Sequence, residues 1–109
     1  MEIANPVHPG EFIKELYPEF VEGLYNEDGS TNIPVLVNVS KQLHLTYHTT
    51  EAFFAGGVGV NAELAIRLSN VLGRSAESWM TMQMNYDLAM ERNKSQNGIV
   101  QVNFEMMGG

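Results

Sequence analysis

Cysteine is absent from all 109 residues, so neither a disulfide nor a thiolate metal site can hold this chain together. Basic residues are scarce: six Lys and Arg stand against thirteen Asp and Glu, a formal charge of −7. That balance argues against indiscriminate binding to nucleic acid, whose affinity comes from neutralising phosphates. No apolar run approaches the roughly 20 residues that span a bilayer. Met1–Pro6 lacks the layout of a secretory leader, so a cytoplasmic protein with no membrane partner is expected. No Ser or Thr sits in a recognisable base arrangement, and Gly56-Gly57-Val58-Gly59 follows a predicted helix and lacks the lysine of a phosphate loop. His44 and His48 have a spacing that can ligate a metal on one helix face, but the turn interrupts that helix and no third ligand is obvious close by. Neither catalysis nor a cofactor is expected.

What is present is a 44% apolar chain, long enough for one domain with one modest core. Its acidity is unevenly spread. Residues 1–28 hold seven acids and one base, residues 29–94 hold five of each, and Glu105 alone charges the tail. A nucleic-acid site must therefore lie in the neutral middle, whereas the acidic end, with Glu15, Glu19 and Glu22, suits a basic protein partner. A plain solubilising face accounts for those acids equally well.

Along the chain, His8-Pro9-Gly10-Glu11 marks a helix start, because proline is preorganised for the first helical position and Glu11 suits the positive dipole end. Phe12, Ile13, Leu16, Tyr17 and Phe20 recur at helical spacing, with Pro18 ending or kinking the helix. Residues 26–32, with Asp28-Gly29 as punctuation, form a loop at the tip of a short hairpin. A second helix begins near Pro34 with Val35, Leu36, Val39 and Leu43 as its apolar stripe. Its valines are mediocre helix formers, so packing must hold it. Thr46 caps a third helix over Tyr47–Ala55 that turns Thr50, Phe53 and Phe54 inward.

Asn61 and Gly73 bracket a fourth helix over 62–72. Ser75 caps a fifth, about 76–93, with Trp79, Met82, Tyr86 and Met90 on one side and Met80, Met84 and Leu88 on another. Such girth fits a core position or an oligomer interface. A polar run, 93–98, follows. Beyond it Ile99–Met106 alternates with a period of two, which predicts a strand in need of a partner. Residues 1–94 are thus expected as one domain and 95–109 as a C-terminal extension.

Three stretches together resemble the HigA family of plasmid-maintenance antidote proteins (VapI-like, within the Cro/C1-type helix-turn-helix proteins). They are Asn5-Pro-Val-His-Pro-Gly-Glu11, the helix Asn61–Gly73, and Ser75-Ala-Glu-Ser-Trp79 continuing to Tyr86-Asp-Leu88. The resemblance implies an all-α, five-helix, lambda-repressor-like fold with a short C-terminal strand. In it residues 34–44 are the positioning helix, His44-Leu45 the turn and Thr46–Ala55 the recognition helix. It further implies an antitoxin that represses its own operon and neutralises a basic RNase toxin of the HigB kind. Operator DNA would meet Lys41, Thr46, Tyr47, His48, Thr49, Glu51 and Ala52, since the N-terminal residues of the second helix reach base edges. Glu15, Glu19 and Glu22 would meet the toxin, and a homodimer would form through helix 76–93 and strand 99–106.

The chain departs from its relatives in several places. Leu36 stands where Gln is usual, His44 where Gly is usual, and the recognition helix lacks the customary arginines. The loop after it, usually basic, is Gly57-Val58-Gly59, and the linker before the helix pair is longer by roughly a dozen residues. Two other readings stay open: a stand-alone Cro/C1-type regulator, and a protein-interaction module that no longer touches DNA.

Overall fold

The computed structural model describes residues 6–97, which form five helices: α1 (Pro9–Leu16), α2 (Ile33–Leu43), α3 (Tyr47–Phe54), α4 (Ala62–Leu72) and α5 (Ala76–Asn97). Each boundary has a local cause. The His8 side chain accepts from the Gly10 amide at the start of α1, Asn32 caps α2, Thr46 caps α3 and Asn61 caps α4. At the far end of α4, Gly73 takes the left-handed conformation (φ 90°) that closes a helix without strain. Pro18 follows α1 directly, and residues 18–23 continue as turns whose amides bond three residues back.

Helices α1, α2 and α4 each turn an apolar stripe inward, and α3 adds two aromatic rings. Ile13, Leu36, Val39, Leu43, Phe53, Phe54, Leu64, Leu68 and Trp79 make the buried centre. Trp79 stacks edge-on against Phe12 at 5.9 Å and lies 6.3 Å from the Tyr17 ring, so the first turns of α5 are pinned to α1. α4 packs along α5, and α2 packs on both α3 and α4. Gly10 lies so close to α3 that a Cβ there would collide with the Phe53 carbonyl oxygen, which explains glycine in the His-Pro-Gly-Glu start.

The expected hairpin is present in brief form. Tyr25 and Thr31 form an antiparallel bridge, and the Asn32 amide returns to the Leu24 carbonyl at 2.8 Å. Gly29, at φ 89°, turns the tip, where Asp28 accepts from both the amide and the hydroxyl of Ser30. Lys14 sits 5.3 Å from the Tyr25 ring and ties the hairpin to α1.

One expectation about α5 needs correction. The helix runs to Asn97 rather than ending near 93, because Arg92, Asn93 and Lys94 include no residue that stops a helix and Lys94 pairs with Glu91 one turn back. Its apolar girth is also only partly used. Trp79 is fully buried, whereas Met80, Met84, Leu88 and Met90 remain 40–52% exposed. Met90 therefore does not share the burial of Trp79, since α5 is longer than the helices it packs on. The predicted strand at 99–106 lies outside the described residues.

Candidate nucleic-acid interface

Residues 33–54 fold as two helices joined by a tight turn. The turn needs a left-handed residue, and His44 supplies it at φ 60°, one of the few non-glycine types that adopt this conformation readily. The Leu45 amide then closes on the Ser40 carbonyl at 3.0 Å, while the Ser40 hydroxyl donates to the Leu36 carbonyl at 2.8 Å. Thr46 resumes extended backbone, and its hydroxyl oxygen accepts from the Thr49 amide at 3.2 Å. Its carbonyl accepts from both the amide and the hydroxyl of Thr50. Thr50 thereby satisfies its polar atom internally, although it is fully buried.

The two faces of α3 separate cleanly. Thr50, Phe53 and Phe54 face the core, as expected. Tyr47, His48 and Glu51 are exposed, and the Tyr47 and His48 rings lie 4.5 Å apart as a tilted pair. Thr49 and Ala52 are only half-buried, so they border the outer strip rather than forming it. Lys41 is exposed near the C-terminal end of α2, and Thr46 is exposed at the head of α3. The seven residues expected at a DNA surface therefore surround the turn and the outer side of α3. Leu36, in contrast, is 1% exposed and belongs to the core, so the usual Gln position contributes nothing polar to the surface.

Sequence reasoning missed Thr31 and Gln83, and of His8 it found the helix-start role but not the long-range bond. Thr31, on the hairpin, donates its hydroxyl proton to Glu51 Oε2 at 2.9 Å and so attaches the inserted segment to the outer face of α3. His8 Nδ1 accepts from Gly10, and its Nε2–H donates to the Val58 carbonyl at 2.9 Å, anchoring the loop that leaves α3. Those two bonds need a neutral ring, and burial lowers the His8 pKa below 6.5 despite the opposing pull of the Val58 carbonyl and Asp87. Gln83 reaches from α5 to accept the Val60 amide at 2.8 Å, while its own amide donates to Asp87. Capping and turn signals were readable locally; these contacts span 20 to 50 residues in the first two cases and 23 in the third.

Charge is sparse around the outer face. Arg67 donates to the Gln42 carbonyl and Arg74 lies over the Phe12 ring, so both guanidinium groups are engaged within the domain. Glu15, Glu19 and Glu22 are all exposed, on the last turn of α1 and the turns after it. Among the described residues no cluster of three His, Cys, Asp or Glu forms a metal-binding group, and no helix is long and apolar enough to cross a membrane.

Two helices at a short turn, the second presenting a polar face over a shared core, define a five-helix, lambda-repressor-like helix-turn-helix protein. The virulence-associated protein I of Dichelobacter nodosus is 30% identical over 91 residues, which is 84% of this chain and 74% of that protein. A HigA-family addiction module antidote protein from Coxiella burnetii superposes with a TM-score of 0.65 at 26% identity, covering 86% of this chain and 90% of that one. The Pseudomonas aeruginosa antitoxin HigA, solved with the higBA promoter, gives a TM-score of 0.62 at 27% identity over 84% and 88% of the two chains. No family model matches the sequence. The chain belongs to the HigA-like, VapI-like family of plasmid-maintenance antidote proteins, and it is not an enzyme.

Proposed function

We propose that this protein is the antitoxin of a toxin–antitoxin pair, which represses its own operon by binding operator DNA through α2 and α3. The observation that carries the reading is the outward strip of α3, where Tyr47, His48 and Glu51 stand free of the core at the place where a helix-turn-helix enters the major groove. The P. aeruginosa antitoxin of the same fold, solved with promoter DNA, supports it. Lys41, Thr46 and Thr49 frame the strip, and Ala52 offers an apolar edge suited to a thymine methyl.

Few cations flank this surface, so one copy would bind DNA weakly. A homodimer doubles the contacts, and the exposed run of Met80, Met84 and Leu88 at helical spacing on α5 supports pairing through that helix. The proposed toxin is a small basic RNase of the HigB kind, met by the exposed carboxylates of Glu15, Glu19 and Glu22. Such a protein would work in the cytoplasm.

A mobility-shift titration with the DNA upstream of the gene tests repression, and co-purification with the product of the neighbouring reading frame tests neutralisation. Retarded DNA and a stoichiometric complex are expected. Failure to shift DNA even at low salt would leave the interaction-module reading in its place, and a shift without any toxin partner would leave a stand-alone regulator. Replacing Glu15, Glu19 and Glu22 by Gln should weaken the toxin complex; unchanged affinity would exclude that surface.

A further inference from the structure

Glu51 is the one charged side chain within α3, and it projects from the face proposed to enter the major groove, where phosphates surround it. A carboxylate there weakens binding to any DNA by repulsion, so its presence needs an account. The contact with Thr31 provides one. The hairpin is held shut by the Tyr25–Thr31 bridge and by the Leu24–Asn32 hydrogen bond, and Asn32 then caps α2. Thr31 is thus fixed between a closed hairpin and the positioning helix, and its hydroxyl holds Glu51 Oε2 at 2.9 Å.

We infer that Glu51 is a specificity-determining residue that selects a cytosine, and that Thr31 is its positioning residue; this rests on the DNA-binding reading above. An ionised carboxylate only accepts hydrogen bonds. In the major groove the exposed donors are the amino groups of cytosine and adenine. Beside the adenine amino group lies the N7 acceptor, which repels the second carboxylate oxygen, whereas cytosine presents a donor without a neighbouring acceptor on the same base. With Oε2 engaged by Thr31, Oε1 is the oxygen left to accept from cytosine N4. Guanine and thymine offer no donor and leave Oε1 desolvated without a partner, and adenine pairs it only beside its repelling N7, so Glu51 acts mainly by penalising wrong sequences.

The test selects sequences from a pool of random 30-base-pair duplexes with the full-length protein, then measures affinities for the enriched duplex and its single-position variants. The wild type should enrich a motif holding one position of C preference, with a discrimination of roughly five- to a hundredfold. Glu51→Gln should switch that position toward A, because Gln pairs with the adenine N6 and N7, and should tighten non-specific binding as a charge is removed. Thr31→Val should lower the discrimination several-fold without changing the preferred base, and Thr31→Ser should restore it. An enriched motif that is identical for wild type and Glu51→Gln overturns the assignment to Glu51. A Thr31→Val protein with wild-type discrimination overturns the positioning role. A wild type that enriches nothing overturns the DNA reading itself, and the inference with it. Melting temperatures matching the wild type show that the variants fold.

Discussion

The inner and outer faces of α3 follow opposite rules within eight residues. Inside, the Phe53 carbonyl leaves no room for a Cβ at Gly10, Phe54 packs on Phe53 at 5.1 Å, and Thr50 bonds to the Thr46 carbonyl. Outside, Tyr47 and His48 pair with each other and Glu51 bonds to Thr31. The contrast teaches that scaffold and candidate site can share one short helix while being separable by mutation: stability belongs to one side and recognition to the other.

The strongest way to break that separation is at Phe53. Phe53→Ala should cost about 3–5 kcal/mol in urea-unfolding experiments, through lost burial and the cavity left behind. Tyr47→Ala with His48→Ala should leave stability within about 0.5 kcal/mol. The same pair should weaken binding to the upstream DNA by roughly tenfold or more, if each loses a base-edge contact. If that double variant melts early and binds normally, the two faces are not separable as described.

Acid sharpens the comparison next. The His8 pKa is lowered in the folded protein by burial, so the unfolded chain takes up the proton first. Its contribution is fully present above 6.5 and is lost as pH falls through 6.5 toward the lowered folded value. Stability measured between pH 8 and 5 should therefore decline on the acid side, and His8→Asn, which keeps a capping acceptor, should flatten that part of the profile. The smallest expected effect is at the turn. His44→Gly removes a left-handed side chain at φ 60° but loosens the unfolded chain, for a net gain of about 0.5 kcal/mol by thermal melting.

Much of this architecture was legible in the residues because helix ends announce themselves locally. Pro9, Thr46, Asn61 and Gly73 each act within one turn of their own position, and Asp28-Gly29 marks the hairpin tip by the same logic. The inward set of α3 followed from helical spacing alone. The end of α5 lies past the expected 93 because the loss of apolar residues there does not stop a helix, and Arg92 and Lys94 are good helix formers. Thr31–Glu51 and His8–Val58 were beyond reach for a different reason. Each depends on where distant segments meet, and neither partner has a local pattern that betrays the other.

The hairpin also has a practical consequence. Its ends meet through the 2.8 Å bond between Asn32 and Leu24, so its tip carries little of the domain's packing, and Glu27 at that tip is exposed. Because the chain has no cysteine, Glu27→Cys would create a unique thiol a few residues from the Thr31–Glu51 contact. A dye attached there would ride on the same hairpin as Thr31, and would report the approach of a duplex as a change in emission.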